Sequence, residues 1–262
     1  MNNFITFENS VNKFEYFFNK NHFLILFISL VIIIFFSMYL ARQRFRVQKA
    51  GIIILSLLLL ILEACRIAWR YFYLKHNGIE PTFFSITNLD FFTASMWVSI
   101  PLILFTAITK KKNNKNSRLL SFVFSVSTLF AIISLIYTNN ININFDFYHC
   151  INLIYILQRS FIILLGLLFA FTKWASVKEF LDIWKGFFSL LAFIVVCALI
   201  GNFFGAEFNL FYTNYFPTFN SLGMLIASPW HYVALFGFLF FFQLLLYFPF
   251  QIYRIIRNKK GI

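Results

Sequence analysis

Seven apolar stretches, each long enough to cross a lipid bilayer, decide what this chain can fold into. They run approximately over 23–41, 50–73, 91–109, 119–138, 150–172, 186–205 and 230–252. A spanning helix needs about 20 mainly apolar residues to traverse a hydrocarbon core of about 30 Å. Lipid offers no partner to backbone N–H and C=O groups, so each stretch must close its hydrogen bonds within a helix. Pro101 interrupts the third stretch, which a membrane helix tolerates when neighbours satisfy the freed carbonyl. The expected fold is an all-α integral membrane protein, a bundle of about seven transmembrane helices over residues 23–256. An N-terminal extracellular or interfacial segment (1–22) precedes it and a basic tail (257–262) follows.

Composition supports that class. Only 12% of the 262 residues are charged and 61% are hydrophobic, whereas soluble domains carry about a quarter charged residues. The 41 Phe read as a coding bias, which lowers the information in any single one. In the first segment Phe4, Phe7, Phe14, Phe17 and Phe18 stand among Asn, Lys and Glu. This leaves a short interfacial helix and an irregular terminus both open. No cleaved signal is expected, because Phe23 to Leu40 exceeds a signal core and no Ala-x-Ala site follows.

The net charge of +13 raises the question of nucleic acid, and the positions of the bases answer it. Arg42, Arg44, Arg46 and Lys49 lie between the first two spans. Lys110, Lys111, Lys112, Lys115 and Arg118 lie between the third and fourth, Lys173, Lys178 and Lys185 between the fifth and sixth, and Arg254, Arg257, Lys259 and Lys260 at the tail. The alternate loops 139–149 and 206–229 contain none. By the positive-inside rule the tail is cytoplasmic and the N-terminus outside. Bases spread over four short segments are topology signals, so no nucleic-acid partner is expected. Cys65, Cys150 and Cys197 have neither CxxC nor metal-ligand spacing and lie in or beside apolar spans. They read as small core residues, with no metal and no cofactor expected.

Polar groups inside the spans carry the functional question. On the helical wheel of the second span, Ser56, Glu63, Arg66 and Arg70 fall on one side. A lone charge at bilayer depth costs about 2.5–3.5 kcal/mol on insertion scales, so such groups face a protein interior or a wet cavity and take partners. Asp90 opens the third span, Gln158-Arg159 comes about nine residues into the fifth, His149 and His231 open the fifth and seventh, and Asn202 closes the sixth. All are expected in the outer half of one bundle. A structural ion-pair network, in which Glu63 and Asp90 neutralise Arg66 and Arg159, accounts for them. So does an outward-opening cavity that binds a polar head group, with Arg159 and Arg66 gripping an anion through planar guanidinium groups. Asn202 and Asn209 would hold the loop 206–229 against that cavity, and His231 is the plausible proton carrier. Trp69, Trp97 and Trp230 read as packing or interface anchors.

The strings Gly201-Asn202, Gly205-Ala206-Glu207-Phe208-Asn209-Leu210-Phe211-Tyr212, Tyr215-Phe216-Pro217 and Ser228-Pro229-Trp230-His231-Tyr232 resemble the YwaF-like bacterial integral membrane proteins. Leu246-Tyr247-Phe248-Pro249-Phe250 and the pair Glu63 and Trp69 resemble that family's last-helix ending and second-span motif. The resemblance covers about residues 50–255 and implies seven spans in a bacterial plasma membrane. It also implies distant similarity to eukaryotic proteins of phospholipid acyl remodelling, where a membrane Cys and His carry acyl transfer. The matching positions here look like Asp90 for the His, Phe92 for the Cys and Arg159 for a second His, so the thiol nucleophile is replaced.

Three functions follow from these residues. The first is a membrane protein that binds or handles a lipid or other amphiphile in an outer polar cavity lined by Glu63, Arg66, Asp90, Arg159, Asn202, Asn209 and His231. Its partners would be membrane lipids and an amphiphilic or anionic small molecule, and no residue is assigned to catalysis. The alternatives are an acyltransferase-like enzyme, and a transporter or membrane subunit using the charges as its pathway. Neither an inverted repeat nor a pair of broken helices favours the last.

Overall fold

A computed structural model of the chain describes residues 20–87, 89–110, 118–136, 149–172, 174–175, 177, 180–204 and 230–259. Among these residues the structure is all-helical, without a strand. The helices are α1 (Lys20–Arg42), α2 (Phe45–His76), a short α3 (Phe83–Thr87) and α4 (Phe91–Thr109). Next comes α5, built from Arg118–Phe122, a π-helical turn Val123–Ser127 and Thr128–Ile136. Then follow α6 (Cys150–Phe171), α7 (Phe180–Phe204) and α8 (Trp230–Lys259). Six are long and apolar enough to span a membrane, and α1 contributes a shorter apolar helix over Leu26–Arg42. The seven expected spans are thus six full-length helices and this shorter one.

Sequence chemistry sets the helix ends. The last turn of α2 closes through Asn77 N–H to the Tyr73 carbonyl (3.1 Å) and Ile79 N–H to the Leu74 carbonyl (3.0 Å). Between them Gly78 takes φ +70°, the left-handed conformation in which a Cβ is unfavourable. Asp90 starts α4 by accepting the Thr93 N–H at 2.6 Å, a cap that satisfies one of the four orphan donors of a helix start.

The central helices are α5 and α6, with 72% and 61% of their spanning residues buried, against 22% for α7 and 28% for α8. Helix α6 packs on α1, α2 and α5, and α2 packs on α4. Lys49 Nζ donates to the Ile108 carbonyl at 2.9 Å, and Trp174 Nε1 donates to Gln48 Oε1 at 3.1 Å. These bonds bring the start of α2, the end of α4 and the end of α6 together, so Arg42, Arg44, Arg46, Lys49 and Lys110 gather at one end of the bundle. Lys110 Nζ sits 5.4 Å from the Trp174 ring there. Helices α7 and α8 flank α5, held partly by Gln243 Nε2 donating to the Ile183 carbonyl at 3.4 Å.

Contact between α5 and α6 depends on Gly166. A Cβ there would strike the Thr128 hydroxyl and approach the Thr128 Cβ to 2.9 Å. Thr128 is itself committed, since its hydroxyl donates to the Val123 carbonyl at 3.2 Å across the π turn. Gly166→Ala is therefore expected to lower stability by about 1–3 kcal/mol, the usual cost of overpacking. Adding Thr128→Ala should recover part of the loss. Thermal unfolding of the detergent-purified protein checks both, and an unchanged midpoint in Gly166→Ala would contradict the close contact.

Candidate functional site

The polar side of α2 faces inward: Ser56, Glu63 and Arg66 are buried and Arg70 is half-buried. Spacing of three residues places Glu63 and Arg66 one above the other on the helix. Arg66 Nε meets Glu63 Oε2 at 2.7 Å and Arg66 Nη2 meets Oε1 at 2.7 Å, a two-pronged ion pair. Two other helices complete the carboxylate. Trp97 Nε1 of α4 donates to Oε1 at 2.6 Å, and Gln158 Nε2 of α6 donates to Oε2 at 2.9 Å. Glu63 thus accepts four hydrogen bonds while only 7% exposed, which offsets the cost of burying its charge.

Arg66 reaches further. Its Nη2 also donates to the Thr87 carbonyl at 2.8 Å, tying the turn before α4 to α2. Arg70 Nε does the same for the Ser85 carbonyl at 2.5 Å. The remaining Arg66 nitrogen, Nη1, is buried and has no hydrogen-bond partner among the described residues. The Arg66 guanidinium lies 6.0 Å from the ring centroid of Tyr155.

The same ring meets a second cation. Arg159, fully buried, lies 4.9 Å from the Tyr155 centroid and 4.6 Å from that of Phe92. Its Nη1 donates to the Tyr155 carbonyl at 2.9 Å and its Nε to the Ser134 hydroxyl of α5. Aromatic faces carry negative quadrupole charge and stabilise cations placed over them. Glu63, Arg66 and Arg159 therefore form one centre, joined by Tyr155 and held by α2, α4, α5 and α6.

Of the other expected members, Asp90 opens α4 and the rest have side chains outside what is described. Asp90 serves as the N-cap of α4, and the counter-charge of Arg66 comes from Glu63. Asn202 lies in the last turn of α7 and His231 in the first turn of α8, with their side chains outside the described residues. Asn209 lies outside the described residues altogether. Gln158, beside Arg159 in its span, joins the centre, while Trp97, read as a packing or interface anchor, and Tyr155 and Ser134, to which no sequence pattern points, complete it. A Gln next to an Arg inside a span was the available signal for Gln158; nothing in the sequence pairs Trp97 with Glu63. Among the described residues no three His, Cys, Asp or Glu side chains come together as metal ligands.

Beside the centre, Trp69 packs with Ile151 and Tyr155 and stacks on Tyr73 with centroids 5.1 Å apart. Buried His149 meets Trp69 edge-on at 5.5 Å and caps α6, its Nδ1 accepting the Ile151 N–H at 3.4 Å. The Cys150 thiol is 3.9 Å from that same Nδ1.

Spanning helices around a buried ionic centre define a polytopic helical membrane protein. Its family is shown by a family model that matches residues 17–247: the chain belongs to the TMEM164 family. No curated protein matches it, and no solved structure does.

Removing one member of a buried ion pair leaves an uncompensated charge, at a cost of about 3–5 kcal/mol. Glu63→Gln is accordingly expected to unfold or strongly destabilise the protein. Glu63→Gln combined with Arg66→Met should be milder, because charge and counter-charge leave together. Thermal unfolding and the yield of monodisperse protein check this, and equal losses in the single and double variants would argue against the pair.

Proposed function

We propose that the protein binds and handles a lipid or other amphiphile whose anionic head group is held at the Glu63–Arg66–Arg159 centre. The observation that carries this reading is Arg66 Nη1, a buried charged donor with no partner among the described residues. It sits on the same aromatic ring as the Arg159 guanidinium. A guanidinium with a spare N–H binds carboxylate or phosphate oxygen strongly where water is excluded. Glu63, saturated by four donors, orients Arg66 and leaves Nη1 for the ligand. On the orientation implied by the basic loops, this centre lies in the outer half of a bacterial plasma membrane. The YwaF-like resemblance of residues 50–255 supports a lipid as the occupant.

A second reading, acyl transfer, is favoured by the contact between Cys150 and His149. The thiol that the YwaF-like resemblance expects near Phe92 is absent there, whereas Cys150 stands beside an imidazole. In that reaction the sulfur attacks an acyl ester carbonyl. His149 Nδ1, giving up its long bond from the Ile151 N–H, takes the thiol proton and returns it to the departing alkoxide, leaving acyl-cysteine and a lysolipid.

Native mass spectrometry of gently extracted protein tests the first reading. Wild type is expected to carry an amphiphile that Arg159→Ala, still folded, has lost. A folded Arg159→Ala protein with the same bound species would refute the assignment. Incubation with phospholipid tests the second: an acyl mass on the Cys150 peptide, absent in Cys150→Ser, is the expected sign, and its absence in both leaves binding alone.

A further inference from the structure

An apolar cavity lies in the other half of the bundle. Helix α1 packs mainly against α6, and α8 mainly against α7, so the two stand apart over a floor formed by α5 and α6. The gap is a cavity of about 920 Å³, within the range of small-molecule sites. Its walls are Leu30, Ile34 and Met38 of α1 and Leu245 and Pro249 of α8, with Leu167 of α6 at its base. One charged side chain borders it: Arg42, at the end of α1.

Its length matches one leaflet. From Leu30 to Arg42 is 12 residues, about 18 Å at 1.5 Å per residue, close to half of a hydrocarbon core of about 30 Å. An apolar channel one leaflet deep with a cation at its mouth has the shape and polarity of one phospholipid. The charge at the mouth selects further. Arg42, Arg44 and Arg46 are all exposed there, and no acidic residue occurs between Glu15 and Glu63, so the local field favours a head group with net negative charge.

We propose that the groove between α1 and α8 holds one acyl chain of an anionic phospholipid from the leaflet at the basic end, with Arg42 binding its phosphate. This site is separate from the Glu63 centre and does not depend on how that centre is read. The bound lipid would fill the space between two helices that touch each other little, and so couple α1 to α8.

The test uses the full chain in nanodiscs of phosphatidylglycerol and phosphatidylcholine in equal parts with identical acyl chains, analysed by native mass spectrometry after release into detergent. Wild type is expected to retain phosphatidylglycerol over phosphatidylcholine by about five-fold, the factor that one interfacial base supplies. Arg42→Gln should lower the ratio by most of that factor, with Arg44 and Arg46 supplying what remains, while still retaining lipid. Ile34→Trp, which fills the groove from an exposed wall position, should lower retention of both lipids while the protein remains folded and monodisperse. Equal retention of the two lipids by wild type, or an unchanged preference in Arg42→Gln, would overturn the proposal. So would a dimer abolished by Ile34→Trp, since the groove would then be a seat for a second copy of the chain.

Discussion

The carboxylate of Glu63 is the point on which the polar interior turns. Charge in a bilayer is tolerated only where partners are close and geometry is fixed, and four donors from three helices meet this one group. Because Arg66 is on the same helix, the ion pair itself adds little to tertiary structure. Trp97 and Gln158 do that work, since each can reach Glu63 in only one rotation of α4 and α6 about their own axes. Apolar lipid-facing helices slide and rotate at small cost, whereas a buried carboxylate penalises every register that leaves it short of donors. The ionic cluster therefore specifies how α2, α4 and α6 are turned. Arg66 passes the constraint on to the segment before α4 through the Thr87 carbonyl.

Most of the helical layout was legible in the sequence because lipid leaves the backbone no alternative to helix. The span expected at 91–109 appears as α4 over Phe91–Thr109, and that expected at 150–172 as α6 over Cys150–Phe171. Helix α2 outruns its apolar core of 50–73 at both ends, where Arg46, Lys49, Lys75 and His76 carry the helix on beyond the apolar run. The π turn in α5 was not legible. It depends on hydroxyls bonding backward to carbonyls, Ser125 to Ser121 at 2.8 Å and Thr128 to Val123, and on the close approach of Gly166. These are tertiary facts that periodicity does not encode.

The centre was legible by halves. Helical spacing alone put Ser56, Glu63 and Arg66 on one buried face, and depth alone put Arg159 near the same level. What joined them, the Tyr155 ring, carries no charge and looks like one aromatic among many in a chain with 58 Phe, Tyr and Trp residues. Asp90 carried a second signal besides its charge. An Asp immediately before an apolar helix is a strong N-cap signal, and its bond to the Thr93 N–H shows that role.

The Glu63 centre and the Arg42 groove stand at different depths of the bundle. Glu63 lies 13 residues beyond residue 50, where the apolar core of α2 begins, about 20 Å at 1.5 Å per residue, in the far half of a hydrocarbon core of about 30 Å. Arg42, three residues before Phe45, stands at the opposite boundary. A phospholipid whose chains fill one leaflet cannot place its head at one of these sites and its tail at the other. On the readings proposed above, the Glu63 centre and the groove would therefore serve two molecules, one from each side. At the Glu63 centre the cations are enclosed and hydrogen-bonded, so a head group proposed there would have to shed water and would be selected by fit. At Arg42 the cation is exposed on a basic surface, so a head group proposed there would keep much of its water and would be selected by charge.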